Sequence, residues 1–143
     1  MRVVAFAPSL TAEEAQGGGV NMRGFPMTSA FIDVLPADIT VSVVIAVVGL
    51  SGEEYSPALY LGVNSPLGER VITMQFSWQW EDDPEVPVKF RSFVQYLPMR
   101  LESEGVYTFG LYDAPDATET EHTFPLAVYL NPNPGPRPDF SAN

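Results

Sequence analysis

The stretch Ile72-Thr73-Met74-Gln75-Phe76-Ser77-Trp78-Gln79-Trp80 decides the fold class. Its even positions are large and apolar, and its odd positions are polar. Side chains on a strand point to alternate faces, so this run has one apolar face and one wet face. A strand of that kind packs one side on a core, as in an antiparallel sheet. The pattern predicts burial of Ile72, Met74, Phe76 and Trp78, with Thr73, Gln75, Ser77 and Gln79 turned outward.

Upstream, Asp38 to Leu50 alternates at first and then turns apolar on both faces through Val44, Ala46 and Val48. Its β-branched content argues for a central strand covered on both sides. Further strands are expected at 2–7, 20–25, 29–35, 57–63, 88–101, 106–112 and 123–130, separated by Pro- and Gly-bearing turns. Thr11 and Glu14 have capping-box spacing, which predicts at most one helical turn before Gly17-Gly18-Gly19. Pro98 and Pro125 cannot donate to a ladder, which predicts an edge or a bulge at each. The sum is an all-β chain, an antiparallel two-sheet β-sandwich of about eight or nine strands, Ig/C2-like, over residues 1–130. Residues 131–143 carry Pro132, Pro134, Pro136 and Pro138 and read as an extended tail that cannot join a sheet.

Composition narrows the function classes. The 143 residues match one domain, and a hydrophobic share of 45% is enough for a core without covalent staples. There are no cysteines, so disulfides, thiolate metal sites and cysteine nucleophiles are excluded together. Absence of disulfides favours a reducing compartment. The opening Met1-Arg2-Val3-Val4-Ala5-Phe6-Ala7-Pro8 is too short and too soon interrupted for a signal core, and no window is long enough for an apolar membrane span. The expected location is therefore cytoplasmic, or a virion if the chain is phage-encoded. Eighteen acids against seven bases give a net charge of −11. Phosphate backbones would repel such a domain, so direct nucleic-acid binding is not expected.

The chain resembles a family of small, uncharacterised bacterial β-sandwich proteins, largely actinobacterial. The resemblance rests on Met1-Arg2-Val3-Val4-Ala5, the glycine-rich 15–24 segment, the strand after Pro36, the turn Asn64-Ser65-Pro66-Leu67-Gly68-Glu69 and the run from Glu104 to Leu111. It implies a sandwich fold and no known activity, cofactor or site residue.

Candidate chemistry is sparse. His122 is the one histidine, with no nucleophile motif near it, so no catalytic residues are assigned and a surface histidine is expected. One histidine and no cysteine cannot close a zinc site. Asp82, Asp83 and Glu85 in one loop, with Asp113 and Asp116 in another, are weak calcium candidates, because calcium takes six to eight oxygens from such clusters. Solvation is the commoner role of such runs, so neither metal nor cofactor is assigned. Trp78 continues the apolar stripe, whereas Trp80 lies near the strand end and is expected to be an exposed interaction residue, conceivable as a sugar platform. Pro134, Pro136 and Phe140 in the tail are the other expected interaction residues, docking on the chain's own domain or on a second chain. The leading expectation is a non-enzymatic protein-interaction or structural module, within a larger assembly or a viral particle, that binds a protein partner or itself. The alternatives are an acidic inhibitor that blocks a basic, nucleic-acid-binding partner, and a sugar- or calcium-binding module.

Overall fold

The computed structural model describes residues 1–53 and 56–132. Ten strands occur in chain order: β1 (Arg2–Ser9), β2 (Thr11–Glu14), β3 (Val20–Arg23), β4 (Ser29–Ile32), β5 (Ala37–Leu50), β6 (Ala58–Asn64), β7 (Arg70–Ser77), β8 (Val88–Leu101), β9 (Gly105–Tyr112) and β10 (His122–Leu130). Among the described residues there is no helix, and hence none able to cross a membrane. The strands form a three-stranded sheet, β1-β5-β8, a five-stranded sheet, β4-β10-β9-β6-β7, and a two-stranded ribbon, β2-β3. All pairings of the named strands are antiparallel except β10 with β4, which is parallel.

One apolar core draws on both larger sheets. Val41, Val43, Ile45 and Val47 come from β5, and Leu97, Met99 and Leu101 from β8. The five-stranded sheet supplies Leu59, Leu61, Val63, Tyr107, Phe109, Leu111, Leu126 and Val128. Each set recurs at every second residue, the period with which strand side chains return to one face. The run that opened the sequence reading behaves as its alternation predicts. Ile72, Met74 and Phe76 pack against the core, the intervening polar residues are exposed, and Trp78 is buried. The first three are only half-buried because β7 is the edge of its sheet and has a neighbour on one side alone.

The central position expected for Asp38–Leu50 is also found, with β1 on one side of β5 and β8 on the other. Its second apolar face is covered from within the chain. Ser42, Val44 and Ala46 are buried together with Ala7 and Ala12, under the ribbon formed by β2 and β3. Tyr96 on β8 ties this cover down by donating its hydroxyl to the Ala12 carbonyl at 2.7 Å. The Ser9 hydroxyl lies 2.8 Å from the carbonyls of Thr11 and Arg23, at the base of the ribbon.

The ribbon corrects two expectations. Thr11–Glu14 is a strand, not a helical turn, so the strand count is ten among the described residues rather than eight or nine. The capping-box spacing is overridden because Gly17, Gly18 and Gly19 take φ of 85°, 102° and 82°, a left-handed path that reverses the chain and lets β2 pair with β3. The prolines fall where expected. Pro98 lies on β8, an edge strand, and Pro125 lies on the part of β10 that β4 does not reach, since β4 pairs only Ala127 to Leu130. At the end of β10, the Asn131 N–H donates to the Ile32 carbonyl at 2.7 Å.

Candidate functional site: the outer face of the five-stranded sheet

Of the residues singled out in the sequence, Trp80 needs correction. It is 8% exposed and belongs to the core. Its ring meets Trp78 edge-on at 5.5 Å, and Lys89 Nζ lies 5.3 Å over its face. A Cβ added to Gly49 would come within 3.0 Å of the Trp80 ring, so the glycine is what lets the indole lie against β5. Neither indole is available as a sugar platform. Pro134, Pro136 and Phe140 lie outside the described residues. His122 is half-buried at the start of β10, and its backbone N–H donates to Thr120 Oγ1 at 3.1 Å.

The acidic loops are not gathered into a cation site. Among the described residues, no group of three or more metal-ligating side chains converges. Asp82 instead accepts from Lys89 Nζ and from the Gly52 N–H, each at 2.8 Å. Asp83 accepts from the Glu85 N–H at 2.9 Å, which shapes its own turn. The Gly52 N–H first, and then the Lys89 ammonium, hold the Asp82 carboxyl below the ordinary aspartate range. Glu53 is likewise held low, first by its bond from the amino terminus and then by the Leu50 N–H. A depressed carboxylate pKa contributes stability above its unfolded value, and that stability is lost as pH falls through the folded value. The melting temperature is therefore expected to fall below about pH 4, near the unperturbed Asp and Glu values, and Asp82→Asn should flatten that acid limb. Thermal melts of both proteins across the acid range check this.

The outer face of the five-stranded sheet carries two features that neighbour each other along β9 and β10. The first is apolar. Phe31 on β4 is 71% exposed and stacks on Tyr129 of β10, with ring centroids 5.4 Å apart and planes 26° off parallel. They are register partners, so both project from the same side of the sheet. Val106 pairs with Ala127 beside them, and Val106 is exposed. Aromatic residues left in water at a sheet edge are unusual enough to mark contact surfaces.

The second feature is polar. Strand interiors seldom use glycine, and where they do another group often approaches closely. Gly62 on β6 and Gly110 on β9 face each other in register. An added Cβ at Gly62 would meet the Arg70 guanidinium at 2.7 Å, and one at Gly110 would meet the Tyr112 ring at 2.8 Å. The two glycines therefore form a floor on which Tyr112 and Arg70 lie. Arg70 sits 4.3 Å from the Tyr112 ring centroid, donates Nε to Asn64 Oδ1 at 2.8 Å, and donates from Nη2 to the Ala117 carbonyl at 3.2 Å. The last bond ties the 113–121 loop to the sheet. Thr120 Oγ1 donates to the Leu111 carbonyl and holds the far end of that loop. Between loop and sheet lies a concavity of about 670 Å³. No signal in the sequence reading pointed to Arg70 and Tyr112, although glycines at outward positions of two strands were the available clue.

No known protein family, characterised protein or solved structure matches this chain.

Proposed function

We propose that the chain is a non-enzymatic binding module, an Ig/C2-like two-sheet sandwich, that engages a protein partner through the outer face of its five-stranded sheet. The observation that carries this reading is the stacked pair of Phe31 and Tyr129, 71% and 49% in water on an ordered sheet face. Interface anchors are enriched in aromatic residues, because a rigid ring buries much apolar area with little loss of rotamer freedom. The net charge of −11 favours a partner with a basic rim over a second acidic copy. The resemblance to small bacterial sandwich proteins remains part of this reading.

The test is a side-by-side capture from the native host with the wild-type chain and with Phe31→Ala/Tyr129→Ala. The double variant is expected to melt within about 1 kcal/mol of wild type, since exposed side chains contribute little, and to lose the captured protein. Capture that survives the double substitution removes the aromatic pair from the interface.

A further inference from the structure

The concavity beside Arg70 is a second site, and its lining states the chemistry of its ligand. The Tyr112 ring is buried, while its hydroxyl makes no hydrogen bond among the described residues and stays open to solvent at the cavity wall. A hydroxyl at a cavity wall that bonds only to water is available to a bound group that displaces that water. Arg70 has spent Nε and Nη2 on Asn64 and Ala117, which leaves Nη1 without a protein partner among the described residues. Asn64 uses its carbonyl oxygen on Arg70, and its amide N–H groups remain to donate. Thr108, Thr118 and Thr123 add hydroxyls, and Glu119 and Glu121 add carboxylate acceptors.

This combination selects against charged and apolar ligands. An anion would meet two carboxylates and the field of a chain at −11, with no basic residue in the lining. A metal cation would find fewer than three ligating side chains gathered there among the described residues. An apolar group would leave these polar atoms unpaired. A ligand whose hydroxyls both donate and accept satisfies both halves of the lining, donating to Glu119 and Glu121 and accepting from Tyr112, Asn64 and the threonine hydroxyls. The volume falls within the roughly 300–1,000 Å³ of small-molecule sites. We infer that the cavity between the 113–121 loop and the outer sheet face binds an uncharged polyhydroxylated ligand of the saccharide class, with Tyr112 and Asn64 as its donors. The site uses none of the aromatic patch and does not depend on the proposed protein partner.

The experiment is an amide-resolved NMR titration of the full chain with maltotriose, cellotriose and chitotriose, and separately with inorganic phosphate and citrate. Saturable shifts confined to Asn64, Thr108, Tyr112 and the 118–123 segment are expected with at least one neutral trisaccharide, and none with either anion. Tyr112→Phe keeps the ring beneath Arg70 and removes only the hydroxyl. It should weaken saccharide binding about fivefold, the scale of one hydrogen bond, with an unchanged melting temperature. Phe31→Ala should leave the titration as in wild type. Shifts with phosphate or citrate alone would make this an anion site and overturn the inference. So would a silent titration with every trisaccharide, or Tyr112→Phe binding as tightly as wild type.

Discussion

Phe109→Ala is expected to destabilise the fold by about 3–5 kcal/mol, the range for truncating a fully buried aromatic side chain. Phe109 is 0% exposed on β9, the middle strand of the five-stranded sheet, where it is in register with Phe124 on one neighbour and Val63 on the other. Those two side chains are held by their own ladders and cannot collapse into the space left behind. Phe109→Leu should cost less, about 1–2 kcal/mol, because it keeps most of the volume. Phe76→Ala, the same truncation on the edge strand, should fall below the Phe109 value, since Phe76 is only half-buried. Urea unfolding of the three variants checks the order.

Lys89→Ala should cost about 2–3 kcal/mol, from a charge-assisted hydrogen bond, a cation–π contact and the packing of the stem. Lys89 is 6% exposed, which is rare for a lysine, and it is satisfied on several sides. Its ammonium bonds to Asp82 at 2.8 Å, lies 3.4 Å from the Glu53 carbonyl and caps the Trp80 ring. The pair is asymmetric, for the Asp82 side chain is 51% exposed while that of Lys89 is 5% exposed. Water can therefore replace the lysine at the aspartate but not the aspartate at the lysine, so the loss in Lys89→Ala comes mainly from the stem and its contact with Trp80, and removing Asp82 is what would strand a buried charge. Lys89→Met retains the stem over Trp80 and should recover part of the loss. Equal destabilisation by Ala and Met would mean that the charge alone matters; no destabilisation by either would remove the contact from the account.

The strands and the inward residues of β5, β7, β9 and β10 could be read from local alternation, because a half-buried strand writes its own burial into a period of two. Proline placement was legible for a similar reason, since a missing N–H is a local fact with a fixed consequence in a ladder. What escaped the sequence were decisions made by residues far apart in the chain. Thr11–Glu14 carries a helix-start signal, but pairing across three glycines outweighs it. Trp80 reads as a strand-end aromatic, and only the return of Lys89 over its ring and the gap left by Gly49 bury it. The Arg70–Tyr112 site requires Gly62, Gly110, Asn64 and Ala117 to meet from three strands and a loop, and no single window holds that pattern. Phe31 looked like an ordinary apolar strand residue; its exposure follows from β4 being a four-residue edge strand that is parallel to its one neighbour.

The outer face of the five-stranded sheet is the proposed partner surface. The most direct measurement places the photo-crosslinker p-benzoylphenylalanine at position 31 in the native host, and at position 10 as the control. Leu10 is also an exposed apolar residue, 67% in water, but it follows β1 of the three-stranded sheet. A discrete protein adduct is expected from position 31, lost on adding Tyr129→Ala, and none from position 10. Equal adducts from both positions, or an adduct from position 10 alone, would contradict it.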